Sequence, residues 1–288
     1  MDGPRDSTCG SVWERSVRSG PNGWTNPLAA GATTGSSDAE GRWQAPVTSV
    51  GWALFLYTLP AAAGLLAART WRHLPDWPPA ARGLAAGLLG FLLLRDASFT
   101  FTLGADLAGW LEGLLLQAAF LAGVLLPPFT GYVHPALPAV RRAAWTWIAA
   151  LGLHGAAESW AVPAALAGGT PEWLPAAAVA LRQLAAAWGA GLLLSEARVP
   201  SGRELAWAVI LAGAPAIAVA AARPVPALMA WAMVLRAGAA GLLLAGLVGG
   251  RLTPGTHGEN AGAEWGFALA LASGLAIMYG LSRLQGVA

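Results

Sequence analysis

From residue 49 onward the chain is a succession of long apolar runs, and the length of those runs restricts the fold more than any other feature. Crossing ~30 Å of hydrocarbon as a helix takes about 20 predominantly apolar residues. Runs of that size lie near 49–69, 82–101, 106–127, 143–167, 174–194, 204–222, 226–249 and 264–283. In lipid the backbone N–H and C=O groups have no water to bond, so each run must close its own hydrogen bonds as a helix. The separators are turn-like or charged: Arg72-His73-Leu74-Pro75, Pro127-Pro128, Arg141-Arg142, Gly168-Gly169-Thr170-Pro171, Arg198-Val199-Pro200, Arg223-Pro224 and Gly255 to Gly262. The expected fold is an all-α integral membrane protein of about eight transmembrane helices, forming one domain over 49–288.

The charge content agrees. Only 11% of residues are charged, against roughly 25% in a soluble domain, and most of the charges fall between the apolar runs. All 17 basic residues are arginine, and Ala, Gly, Leu and Pro abound, which reads as the codon bias of a GC-rich, prokaryotic genome. No basic stripe exists, so no nucleic-acid partner is expected; the expected partner is the lipid bilayer. The single cysteine, Cys9, excludes a disulfide framework and a cysteine metal cluster. Residues 1–48 are polar, lack the basic start and early apolar core of a signal peptide, and are expected to form a disordered tail.

Arginine placement gives an orientation. One set of alternate loops carries Arg69, Arg72, Arg82, Arg141, Arg142, Arg198, Arg203 and Arg251; the other carries mainly Arg223, with Arg95 and Arg283 near helix ends. The arginine-rich side is expected to be cytoplasmic, which puts both termini outside and the protein, multi-pass, in the inner (plasma) membrane. Several tryptophans, among them Trp52, Trp77, Trp110 and Trp207, sit near run ends and read as interfacial anchors. Gly87, Gly90, Gly238 and Gly241 fit close approach of helices.

Charges inside a span cost about 2.5–3.5 kcal/mol each on insertion scales and point to function by default. They are Arg95 and Asp96 in the second run, Glu112 in the third, His154 and Glu158 in the fourth, Arg182 in the fifth and Arg236 in the seventh. His154 and Glu158 are four apart and share a helix face. An imidazole and a carboxylate so placed can form half of a divalent-cation site or an ordinary hydrogen bond between helices. The set as a whole holds three negative and three positive groups, whereas a cation site should show surplus negative charge.

The stretch Leu151-Gly152-Leu153-His154-Gly155-Ala156-Ala157-Glu158-Ser159 resembles the fourth helix of the ZIP family of zinc and iron transporters, which carries His-Asn-x-x-Glu-Gly there. Ala85 to Asp96 is similar to the family's second helix, and Val179 to Gly189 to its fifth. Leu211-Ala212-Gly213-Ala214-Pro215, Arg236-Ala237-Gly238-Ala239 and Trp265-Gly266-Phe267-Ala268 resemble segments of helices 6, 7 and 8. The resemblance covers 50–285. It implies a ZIP-like bundle with both termini extracytoplasmic, a transported divalent cation such as Zn2+ with no permanently bound cofactor, and a homodimer. It implies metal ligands at His154, Glu158, Asp96 and Gln183.

The departures from that pattern concentrate on the metal site. Gly155 stands in place of the Asn, Arg182 in place of a His or Gln, and Ala186 in place of the second Glu. A guanidinium and a dication ~4 Å apart repel by about 8 kcal/mol at an effective dielectric of ~20. Arg182 could instead bond Glu158 and cross-link helices 4 and 5 in the metal's place. Two readings follow: a ZIP-like transporter for a divalent metal with an altered mid-membrane site, or a non-transporting structural or regulatory protein on that scaffold with Arg182–Glu158 replacing the metal. An intramembrane enzyme is not expected, because His-Glu-x-x-His, Gly-x-Ser-x-Gly and a paired acidic motif are all lacking.

Overall fold

The computed structural model describes residues 49–70, 78–106, 110–133, 138–160, 173–197, 200–222, 226–249 and 261–285. The tail expected over 1–48 lies outside the described residues. Among the described residues there is no strand, and every apolar run is helical: α1 (Ser49–Thr70), α2 (Pro78–Asp106), α3 (Trp110–Val133), α4 (Ala139–Ser159), α5 (Trp173–Ala197), α6 (Gly202–Ala221), α7 (Pro226–Gly249) and α8 (Ala261–Gln285). Six of these, α1, α2, α5, α6, α7 and α8, contain segments long and apolar enough to cross a membrane. This is the architecture of an all-α, multi-pass membrane protein.

Several helices run further than their apolar cores. α2 begins at Pro78 rather than near 82 and α4 at Ala139 rather than near 143. The extra turn of α4 carries Arg141, whose charge is matched by Glu204, so polar sequence there does not require a loop. The Pro127-Pro128 pair, expected as a separator, lies within α3, which continues to Val133. Proline's fixed φ is a helical one; its cost is a lost N–H donor, a cost that membrane helices tolerate. Pro215 sits within α6 in the same way. α6 starts on a capping box: Glu204 N–H donates to Ser201 Oγ at 3.2 Å, and Ser201 N–H donates to Glu204 Oε2 at 2.9 Å.

Four helices form an inner ring in which α2 packs on α5, α5 on α4, α4 on α7 and α7 on α2. Each has an outer partner: α8 lies on α2, α1 on α5, α6 on α4 and α3 on α7. Two of these seams depend on paired glycines. A Cβ on Gly87 of α2 would come within 3.0 Å of the Gly274 Cα of α8, and one on Gly241 of α7 equally close to the Gly123 Cα of α3. These backbones touch, as small residues allow in lipid. Gly90 and Gly238 do not play that part, because a Cβ on Gly90 meets nothing within 4 Å and one on Gly238 makes only ordinary contact at 3.7 Å.

The inner ring explains why α4 can be the most polar helix. It buries residues on nearly every side, including Trp147, Ile148, Leu151, His154 and Ser159. Its surroundings are protein, so it need not present an apolar face to lipid. α8 is the opposite case: only 11% of its apolar window is buried, and Leu269, Ile277 and Tyr279 point outward.

Candidate functional site

Polar side chains from all four inner helices meet inside the ring. His154 and Glu158 come from the last turns of α4, on one face because they are four apart. Their nearest atoms, His154 Nε2 and Glu158 Oε1, are 3.5 Å apart. The other ring nitrogen, His154 Nδ1, lies 2.7 Å from Asp96 Oδ2 of α2. An ionised carboxylate can only accept, so Nδ1 carries the proton of this bond. Asp96 and His154 are each 1% exposed. One turn on, Thr100 Oγ1 donates to the Asp96 backbone carbonyl at 2.7 Å.

Glu158 is the hub. Its Oε2 accepts from Arg182 Nη2 of α5 in a buried ion pair. Its Oε1 faces three nitrogens from three helices: His154 Nε2 at 3.5 Å, Arg95 Nη2 of α2 at 3.6 Å and Arg236 Nη2 of α7 at 3.9 Å. All three exceed the 2.7–3.2 Å of an ordinary N–H···O bond, so Oε1 sits loosely in a polar cradle while Oε2 is held. Arg236 also lies over the Phe99 ring, 4.6 Å from its centroid, a cation–π contact. The side chains of Arg95 and Arg236 remain 27% and 20% exposed, against 2% for Arg182. The cluster therefore has a sealed wall at α5 and a more open one at α2 and α7.

Tyr57 of α1 closes a further side. It belongs to a widened π turn over Leu54–Thr58, a distortion found often at functional sites. Tyr57 is 3% exposed, and its ring occupies the space beside Gly155, where a Cβ would come within 3.3 Å of Tyr57 Cδ1. An asparagine at Gly155 would need the tyrosine to move.

Of the residues expected to ligate a metal, Asp96, His154 and Glu158 come together, and each is already engaged. Asp96 and His154 bond one another, and Glu158 bonds Arg182. Gln183 is buried, with its amide nitrogen unpartnered among the described residues. Ala186, one turn past Arg182, is fully buried and adds no donor. Among the described residues no group of three or more His, Cys, Asp or Glu is arranged to hold a metal ion. Three guanidiniums within 4 Å of the hub carboxylate make the donor set unsuitable for a dication, since every one of them repels it. Glu112 falls in the first turn of α3, and its side chain lies outside the described residues.

No protein-family model matches the chain, and no curated protein or solved structure matches it either. The functional reading therefore stands on the site's own chemistry.

Sequence inspection singled out Arg95 and Arg236 as intramembrane charges but gave them no common partner. Tyr57 and Thr100 carried no signal. A tyrosine within an apolar run looks like any other core aromatic until its neighbour across the helix interface is known to be a glycine.

Proposed function

We propose that the protein is an eight-span membrane protein of the plasma membrane, both termini extracytoplasmic, on a ZIP-like bundle whose metal site has been replaced by an ion-pair cluster. In this reading it does not carry divalent cations. The Arg182–Glu158 pair cross-links helices 4 and 5, and the cluster holds the four inner helices in one arrangement, a structural or regulatory role. The observation that carries this is the shared hub: one carboxylate, Glu158, bonds Arg182 and has Arg95 and Arg236 within 3.9 Å. Charged donors this numerous stabilise an anion and exclude a cation.

The test is zinc calorimetry on the purified chain in detergent, beside an Arg182→His, Ala186→Glu double variant. The natural protein should give no binding heat at micromolar zinc, and the double variant should gain it. Tight zinc binding by the natural protein that disappears in Glu158→Ala would restore the metal-transport reading, with Arg182 swinging clear of the site.

A further inference from the structure

We infer that the open side of the Glu158 cluster is a binding site for a small organic carboxylate, with the Oε1 oxygen of Glu158 as its built-in occupant. The inference rests on the ion-pair reading above and extends it to a ligand class.

Three observations carry it. First, two guanidinium donors are already arranged around a carboxylate oxygen, and they come from separate helices, Arg95 from α2 and Arg236 from α7, with the His154 ring of α4 beside them. Second, the arrangement is too wide for the oxygen it holds. At 3.5–3.9 Å none of the three makes a normal hydrogen bond to Oε1, and His154 Nε2, 1% exposed and aimed at that oxygen, has no hydrogen-bond partner among the described residues. A guanidinium fork matches a planar carboxylate well, and moving Oε1 aside leaves the cradle suited to a second carboxylate. Third, the wall is graded. Glu158 stays anchored to the sealed Arg182 through Oε2, whereas the Arg95 and Arg236 side chains are partly exposed. A ligand arriving from that side meets the arginines before it meets Glu158. Phe99, 38% exposed beside Arg236, offers an apolar flank for the ligand's carbon skeleton.

A ligand carboxylate would bond Arg95 and Arg236 and push Oε1 back towards Arg182. Because Arg95 sits on α2, Arg236 on α7 and Glu158 on α4, occupancy would alter the spacing of three inner helices. No covalent step is involved.

Calorimetry on the full chain in detergent micelles tests this, with acetate, succinate, inorganic phosphate and zinc chloride titrated separately. Acetate and succinate should bind, Arg236→Gln and Arg95→Gln should each weaken them about tenfold, as losing one charged donor does, and Arg82→Gln at the far end of α2 should change nothing. Glu158→Gln, which keeps the shape and removes the competing charge, should tighten both ligands by about tenfold. If that variant fails to fold, the two arginine variants decide alone. Carboxylate binding indifferent to Arg95 and Arg236, binding of phosphate only, or no carboxylate heat from folded protein would each overturn the inference. Zinc binding that depends on Glu158 would overturn the ion-pair reading itself; silence to both zinc and carboxylates would leave that reading standing and remove only the ligand site.

Discussion

The inner helices carry ion pairs at two levels, and the levels differ in everything except chemistry. Near the helix ends, Arg82 at the start of α2 pairs with Glu196 at the end of α5, and Arg141 of α4 pairs with Glu204 of α6. Within the ring, Arg182 pairs with Glu158. The Arg82–Glu196 side chains are 27% and 21% exposed; those of Arg182 and Glu158 are 2% and 9%. A partly exposed pair gains little over separate hydration and is worth about 0–1 kcal/mol. A buried one is costly to assemble and far more costly to break, because the survivor keeps its charge without a partner. Arg141–Glu204 is intermediate: the arginine is 2% exposed, its carboxylate partner 25%, and Glu204 also serves the capping box of α6. Position decides whether an arginine–glutamate pair fastens helix ends or governs the centre.

The sharpest way to break this contrast is Glu158→Ala. It strands buried Arg182 and should cost about 3–5 kcal/mol, read as a large fall in thermal unfolding temperature in detergent. Arg182→Met combined with Glu158→Gln should recover at least half of that loss; no recovery would mean the hub matters through Arg95 and Arg236 and not through Arg182. Asp96→Ala comes next. His154 Nδ1 would lose its buried acceptor, at about 1–3 kcal/mol by the same assay, with α2 and α4 the helices loosened.

Ser201→Ala removes half of the α6 capping box and should cost about 1 kcal/mol, while leaving carboxylate titrations of the central cluster unaltered. Arg82→Ala should have the smallest effect, under about 1 kcal/mol, and it should shrink further in high salt because partly exposed charges are screened. A loss at Arg82 as large as that at Glu158 would erase the distinction between the two levels. Packing has its own control: Gly87→Leu should force α2 from α8 at about 1–3 kcal/mol, whereas Gly90→Ala, with open space around it, should be neutral or mildly stabilising.

The apolar runs by themselves determined that the described residues are helical and roughly where most of the helices lie, because run length and the need to close backbone hydrogen bonds in lipid leave no other solution. They also marked His154 and Glu158 as sharing a face, since that follows from helical spacing alone. The runs under-reported the start of α4 at Arg141, where an ion pair with another helix supplies what apolarity does not, and Pro127-Pro128 looked like a break although α3 passes through it. Only the tertiary structure decided which helices are inner and which outer, that Tyr57 fills the space beside Gly155, and that Arg95, Arg182 and Arg236 converge on Glu158. The reason is physical. Local spacing fixes which residues share a helix face, but partners 24 to 171 residues apart in the chain, such as Arg182 with Glu158 or Ser49 with Ala220, meet only when whole helices have packed.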